Sequence, residues 1–310
     1  MTTFSKVLTA AICGCMACAS VAMAQDKIPV VASFSILADM TERVGGDRVA
    51  VQTLVGPEQD AHVFQPTPAA AANVSKARLL ITNGLGFEGW IDRLVASSGY
   101  KGAVVVATNG IEPLKPDEDD HHDDHKDGGE HGHGNVDPHA WQNAANALTY
   151  IENIKAGLCA ADSAGCSIYT DNAAKYAAEV SALDQDIKIR MAVLPAAKRK
   201  VITSHDAFGY FAKAYGITFI APVGMSTESE ASAKDVARII RQIRKEKVTA
   251  LFVEGISDAR LIEQIARETG IKAGPILYSD ALSKPEGPAA TYLGMMRHNA
   301  DQLTRAMAGS

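Results

Sequence analysis

Short apolar runs alternate with longer amphipathic stretches over most of this sequence. Runs of four to seven apolar residues bounded by turn residues are typical of buried strands, and apolar positions three and four apart are typical of helices. Strands that alternate with helices favour a parallel sheet covered on both faces. In the first half these patterns predict strands at Ile28–Phe34, Val49–Val55, Leu79–Thr82 and Ala103–Ala107, and helices at Pro68–Lys76, Glu88–Ser97 and Ala140–Leu158.

The second half repeats this alternation after one long helical segment. Thr170–Val193 has helical spacing and no Gly or Pro, and Pro195 ends it. At 1.5 Å per residue this segment would span about 36 Å. Beyond it, strands are predicted at Lys200–Thr203, Thr218–Ala221, Ala250–Glu254 and Gly274–Tyr278, and helices at Phe208–Tyr215, Ala233–Lys245, Ala259–Thr269 and Ala289–Met307.

The two halves together predict an α/β fold of two similar parallel-sheet lobes joined by one long rigid α-helix. The predicted boundaries are an N-terminal lobe at residues 25–168, a linker helix at 169–195 and a C-terminal lobe at 196–310. Chain length favours this division, because about 286 residues exceed one ordinary hydrophobic core.

The first 24 residues have the pattern of a secretory signal peptide. Lys6 precedes a short apolar stretch, and Ala22-Met23-Ala24 forms a small-x-small cleavage pattern. We therefore expect a mature protein that starts at Gln25 and is located in the periplasm. A lipid anchor is the alternative, because Ile12-Cys13-Gly14-Cys15 loosely resembles a lipoprotein cleavage box.

The overall charge excludes one class of partner. The chain has 36 acidic and 30 basic residues, a formal charge of −6 that becomes −7 when Lys6 leaves with the signal. A nucleic-acid-binding protein would need a basic face, so we expect no nucleic-acid partner.

Two cysteines remain after the signal. Cys159 and Cys166 enclose six residues. In an oxidising compartment such a pair is more often bridged than free, which predicts a local disulfide. Two buried thiols are the alternative.

The composition changes abruptly from Glu112 to Asp137. These 26 residues hold ten acidic residues and five of the nine histidines, with almost nothing apolar. Such a segment buries too little surface to offset its ordering entropy, so we predict a disordered loop at about 112–137. Histidine-rich tracts commonly bind metal, which suggests accessory metal capture; a solvated insertion that merely tolerates metal is the alternative. The loop histidines are His121, His122, His125, His131 and His133.

Three other histidines occupy similar positions at the ends of predicted elements. His62 lies beyond the second strand, His139 starts a helix, and His205 follows a strand. Asp280 lies just beyond the last predicted strand. Ligands in open α/β sheets bind beyond the carboxyl ends of the strands, so these four side chains are candidates for one site. A structural role for each, as a cap or hydrogen-bonded residue, is the alternative.

Three imidazoles and one carboxylate suit a particular metal. A tetrahedral set of three nitrogens and one oxygen favours zinc, whereas calcium and magnesium require more oxygen ligands. Catalytic zinc usually keeps three protein ligands and leaves the fourth position to water. Four protein ligands therefore favour metal capture, and we expect no catalytic residues and no enzymatic activity.

Five segments resemble motifs of the zinc- and manganese-binding substrate-binding proteins of bacterial ABC importers. The resemblance covers nearly all of the mature chain. Its most specific motif is Asp137-Pro138-His139-Ala140-Trp141, and Ser204–Phe211 is nearly as specific. The other matching segments are Pro57–Pro66, Asn83–Trp90 and Ser279–Leu282.

The resemblance implies both a ligand set and a function. In that family the metal lies in a cleft between two lobes joined by a long helix, and the matching ligands here are His62, His139, His205 and Asp280. Manganese-binding members tend to carry a carboxylate where this chain has His205, and a histidine-rich acidic loop is typical of zinc-binding members. The resemblance therefore implies high-affinity capture of Zn²⁺ in the periplasm and its delivery to the permease of a cognate ABC importer.

Several points stay open at this stage. The alternatives are a manganese-specific member of the same fold, a zinc-binding surface adhesin and an exported zinc hydrolase. We expect a monomer, and the sequence does not decide whether a periplasmic zinc-donating protein supplies the metal. Carboxylates that are candidates to orient an imidazole, or else to serve as helix caps or turn residues, are Asp60, Asp137, Asp206 and Glu254.

Overall fold

The first half of the chain forms a four-stranded parallel sheet with strand order β2-β1-β3-β4. The computed structural model describes residues 26–115, 136–246, 248 and 250–308. The central strands β1 and β3 are the most buried, as expected of parallel strands covered on both faces. The strands are β1 (Ile28–Phe34), β2 (Val49–Val55), β3 (Leu79–Thr82) and β4 (Ala103–Val106).

Four helices pack against this sheet in two groups. Helices α1 and α4 contact each other and the strands, while α2 contacts α3 and β1. Thr67 caps α2 by accepting the N–H of Ala70 at 3.1 Å, and Asn143 caps α4 in the same way. The helices are α1 (Ser35–Gly45), α2 (Pro68–Lys76), α3 (Ile91–Ser98) and α4 (Ala144–Ala161).

One long helix, α5 (Cys166–Ala192), joins the two halves of the molecule. Its 27 residues span about 40 Å. The helix contacts α1 and α4 of the first half and α6 and α9 of the second. The predicted disulfide is confirmed, because Cys159 in α4 is bonded to Cys166 at the start of α5. The helix therefore begins before the predicted residue 170, at the bridged cysteine.

The second half contains a smaller parallel sheet with strand order β6-β5-β7. Helices α7 and α8 cover a separate apolar cluster that includes Ile202, Ile239 and Ile262. Helix α9 returns to pack on α5 and α1. The elements are β5 (Lys200–Ile202), α6 (Gly209–Tyr215), β6 (Thr218–Ile220), α7 (Ala233–Glu246), β7 (Ala250–Leu251), α8 (Ala259–Thr269) and α9 (Tyr292–Ala308).

The predicted strand at Gly274–Tyr278 is wrong as a regular strand. Ala273 and Leu277 form only isolated bridges, to Leu251 and Glu254. Pro275 lies between them and has no N–H to donate to a ladder, which explains the interruption.

The two-lobe α/β architecture with a long connecting helix is thus confirmed. Within the described ranges, no helix combines the length and apolar composition needed to cross a bilayer. The predicted signal peptide lies outside the described residues, as does most of the predicted loop.

Candidate metal centre

Four polar side chains from distant parts of the chain meet in the cleft between the lobes. They are His62, His139, His205 and Asp280, and each offers one ligand atom within 4.8 Å of all the others. The Nε2 atoms of His62 and His205 lie 3.2 and 3.1 Å from Oδ2 of Asp280. Nε2 of His139 lies 3.6 Å from the other oxygen, Oδ1. The four predicted side chains therefore form one cluster around a single carboxylate.

These four groups are buried, and several of their polar atoms have no hydrogen-bond partner. His139 and Asp280 have no exposed surface, and His62, the most accessible, is 7% exposed. Among the described residues, Nε2 of His62, Nε2 of His139 and Oδ1 of Asp280 have no hydrogen-bond partner. Buried polar atoms without partners are costly, and a bound cation would satisfy all three.

Two of the spacings are close to those of a small tetrahedral ion. Zinc bonds to nitrogen and oxygen of about 2.0–2.1 Å give a tetrahedron with edges of about 3.3–3.4 Å. The Nε2 atoms of His62 and His205 lie 3.2 and 3.1 Å from one oxygen of Asp280, close to that edge, and Nε2 of His139 lies 3.6 Å from the other oxygen. All pairs of candidate ligand atoms lie within 4.8 Å of one another, so the four groups share one small space.

Two carboxylates contact the Nδ1 atoms of His139 and His205 and thereby orient these two imidazole rings. Oδ1 of Asp137 lies 2.8 Å from Nδ1 of His139, and Oε2 of Glu254 lies 2.6 Å from Nδ1 of His205. A carboxylate at Nδ1 holds the Nδ1–H tautomer and leaves Nε2 free for a metal. Asp137 and Glu254 thus occupy the orienting positions that the sequence suggested.

Neighbouring charges shift the pKa values of three side chains in the cluster. Burial lowers the pKa of His139, but the carboxylates of Asp280 and Asp137 outweigh it and raise the pKa to about 9. The pKa of His205 is well above its ordinary value, because Glu254 and Asp280 outweigh its burial. Conversely, the nearby imidazoles outweigh burial and hold the pKa of Asp280 well below its ordinary value. The pocket is therefore built to hold positive charge, and a metal would displace protons from it.

His62 is positioned differently from the other two histidines. Asp60 accepts the backbone N–H of His62 at 2.9 Å, so it fixes the main chain rather than the ring. The other oxygen of Asp60 accepts the hydroxyl of Thr227 at 2.6 Å, a contact between the lobes. A cavity of about 250 Å³ adjoins His62, and its lining also includes Met225 and Glu228 from the second half of the chain. His62, 7% exposed, is therefore the most accessible of the four side chains.

A glycine turn shapes the wall behind the site. Gly84, Leu85 and Gly86 all have positive φ, at 87°, 55° and 81°. Glu88 stabilises the turn by accepting the backbone N–H of Asn83 at 2.6 Å, and burial raises the pKa of Glu88. This turn places Phe87 with its ring centroid 4.8 Å from that of His62. An apolar wall of this kind excludes water from a metal site.

Sequence reasoning missed some of these contacts. Thr227 lies outside the five segments that carry the resemblance, and no local signal links it to Asp60, 167 residues away. Glu88 was part of a recognised motif, yet its role in holding the turn requires the structure. The loop histidines lie outside the described residues.

The fold and the cleft define a class of protein. Two parallel-sheet lobes, a long connecting helix and a buried polar cluster between the lobes are the features of a solute-binding protein that encloses a small charged ligand. The sequence model described as zinc-uptake complex component A, periplasmic, matches residues 30–306. The chain belongs to this family: it is the substrate-binding protein of a metal ABC importer and not an enzyme.

Characterised relatives are named for different metals. The chain is 32% identical over 279 residues to the iron-binding protein YfeA of Yersinia pestis, covering 90% of this chain and 86% of YfeA. It is 30% identical over 303 residues to the manganese ABC transporter substrate-binding lipoprotein PsaA of Streptococcus pneumoniae, covering 95% and 94%. The structure of the periplasmic zinc-binding protein TroA from Treponema pallidum is similar, with a TM-score of 0.83 and 26% identity, covering 91% of this chain and 99% of TroA.

Proposed function

We propose that this protein captures Zn²⁺ with high affinity in the periplasm and delivers it to the permease of its cognate ABC importer. The observation that carries the proposal is the convergence of three imidazole Nε2 atoms on the Asp280 carboxylate, at 3.1–3.6 Å. In this proposal His62, His139, His205 and Asp280 each supply one ligand atom. Nitrogen-dominated coordination favours zinc over manganese, which prefers oxygen.

A manganese- or iron-binding role is the second candidate. It is favoured by the names of YfeA and PsaA, both at least 30% identical to this chain. The histidine at position 205 argues for zinc, because a carboxylate there would convert the set to two nitrogens and two oxygens.

Competition between metals tests the choice directly. Metal-free protein is titrated with zinc and manganese together, and bound metal is measured after gel filtration. We expect zinc to occupy the site at equal concentrations. His205→Glu should weaken zinc binding and shift occupancy towards manganese, whereas the matched control His298→Glu changes a histidine outside the cluster and should have no effect. Manganese displacing zinc from the parent protein would reverse the assignment.

The histidine-rich segment adds a second part to the proposal. The five loop histidines would bind zinc weakly and pass it to the main site, helped by the attraction of the surrounding acidic residues for cations. Deletion of residues 116–134 should leave the affinity of the main site intact but slow zinc capture at limiting zinc. Unchanged capture by the deletion variant would show that the loop is a passive insertion.

Processing and assembly complete the proposal. We infer cleavage before Gln25, release into the periplasm as a monomer, and transfer to the permease with or without a periplasmic zinc donor. Mass spectrometry of the exported protein distinguishes this from the lipid-anchored form, which would begin with a diacylated cysteine. A mature N-terminus at Gln25 is expected.

A further inference from the structure

The backbone next to Asp280 is hydrogen-bonded to side chains of the N-terminal lobe. The carbonyl oxygen of Ser279 accepts two side-chain N–H groups, from Nε1 of Trp141 at 2.9 Å and from Nε2 of Gln142 at 2.7 Å. Trp141 and Gln142 follow the ligand His139 by two and three residues. A side-chain clamp therefore joins the chain segments that carry two of the four ligands.

Further contacts hold the same segment from its other side. The N–H of Leu282 donates to Oγ of Ser35 at 3.0 Å, and the carbonyl of Leu282 accepts the N–H of Glu58 at 3.0 Å. Ser35 and Glu58 both belong to the first half of the chain. The backbone on each side of Asp280 is thus tied to the N-terminal lobe, although Asp280 lies more than 100 residues beyond it.

The clamp is buried and specific in its geometry. Trp141 and Gln142 have no exposed surface, and Ser279 is 1% exposed. The Trp141 ring also packs against His139, with ring centroids 5.3 Å apart. Hydrogen bonds in such a dry environment are strong and directional, so they restrict where the Asp280 carboxylate lies relative to His139.

We propose that Trp141 and Gln142 are positioning residues that set the affinity and the size selectivity of the metal site. They hold Asp280 at the spacing from the imidazoles that a small tetrahedral ion requires. This inference rests on the proposed function, because it concerns how the four ligands are held. Without the clamp, the carboxylate shifts and the site accommodates larger ions with more oxygen ligands.

Two substitutions remove the donors while retaining most of the packing. Gln142→Met keeps the length of the side chain and loses the N–H, and Trp141→Phe keeps an aromatic ring and loses the indole N–H. Tyr215→Phe is a matched control: its hydroxyl accepts the N–H of Ala144 at 3.2 Å, another buried contact between the lobes, but one that does not touch Ser279. Thermal unfolding of each metal-free variant verifies that it folds.

The test measures zinc and manganese Kd for each variant by competition with a chromophoric chelator. Loss of a group that supports a metal ligand typically weakens binding about 10–100-fold, so we expect a rise in zinc Kd of about 10-fold or more for Gln142→Met. The ratio of manganese Kd to zinc Kd should fall at the same time, an effect that general destabilisation does not produce. Trp141→Phe should behave similarly, and Tyr215→Phe should leave both constants within about two-fold.

Two results would overturn the inference. One is zinc binding by Gln142→Met as tight as in the parent; the other is an equal rise in Kd for Tyr215→Phe. Failure of the zinc assignment is a separate outcome, seen as preferential manganese binding by the parent protein. In that case we expect Gln142→Met and Trp141→Phe to raise the manganese Kd instead.

Discussion

Three of the four proposed ligand side chains have a neighbouring group that fixes their orientation. His139 has Asp137 at its Nδ1, His205 has Glu254, and Asp280 is held through the clamped carbonyl of Ser279. Only one tautomer of each imidazole presents an unprotonated Nε2 to an ion. We therefore expect the residues that contact these ligands to control metal binding.

Replacement of Glu254 by Gln should weaken zinc binding about 10–100-fold, the usual effect of losing a partner of a ligating histidine. Oε1 of Glu254 accepts the backbone N–H groups of Ser204 and His205 at 2.8 and 2.9 Å. If Gln retains these bonds, its NH₂ group faces Nδ1 of His205. A neutral imidazole must then accept at Nδ1 and keep its proton on Nε2, the atom that should bind zinc.

Competition titration of Glu254→Gln against the parent checks this prediction. Glu246→Gln is the control, because Glu246 pairs with Lys200 at 2.7 Å and lies outside the ligand cluster. Parent-like zinc affinity in Glu254→Gln would contradict the proposed role of the carboxylate.

At the scale of elements, the contact between α1 and α9 fastens the end of the chain to the N-terminal lobe. Oδ2 of Asp39 in α1 accepts the N–H of Tyr292, the first residue of α9, at 2.9 Å. Asn299, also in α9, has a side chain that donates to the carbonyl of Tyr278 at 2.6 Å and accepts its N–H at 2.9 Å. Helix α9 therefore links α1 to the segment that leads to Asp280.

The Asp39 contact predicts a pH dependence of stability. Burial raises the pKa of Asp39 from 3.8 to about 6. The folded state therefore binds a proton that the unfolded state loses near pH 4. The bound proton therefore stabilises the folded state. This stabilisation is fully present below pH 3.8 and is lost as the pH rises through 6. It amounts to about 3 kcal/mol for a pKa shift of about two units.

Asp39→Asn should remove this dependence. We expect the free energy of unfolding of the variant, relative to the parent, to rise by up to about 3 kcal/mol between pH 4 and pH 7. Urea denaturation of the metal-free proteins across this range measures it. Asp47→Asn, at an exposed position, controls for the loss of one acidic charge. A constant difference between Asp39→Asn and the parent at all pH values would contradict the prediction.

At the scale of the whole molecule, local patterns predicted elements better than the contacts between them. The bounds of β1, β2, α2, β3 and α8 match the sequence prediction to the residue, because apolar runs and capping residues such as Thr67 act locally. The predicted strand at Gly274–Tyr278 failed because Pro275 interrupts its ladder. The four site residues were found through their positions at element ends and through family motifs.

Contacts between the lobes were beyond sequence reasoning. The Thr227 to Asp60 hydrogen bond joins residues 167 apart, and the Trp141 to Ser279 bond joins residues 138 apart. Neither follows from spacing or propensity, because both depend on how the two sheets are placed around α5. The structure shows that the backbone beside Asp280 is hydrogen-bonded to the N-terminal lobe through Ser279 and Leu282, and to the C-terminal lobe through Leu277.

X-ray absorption at the zinc edge, on the stoichiometric zinc complex, measures how many nitrogen and oxygen ligands the bound ion has. We expect one shell of four ligands at about 2.0–2.1 Å, with the multiple-scattering signature of three imidazoles and a single additional oxygen. A six-coordinate shell dominated by oxygen, or one with fewer than three imidazoles, would contradict it.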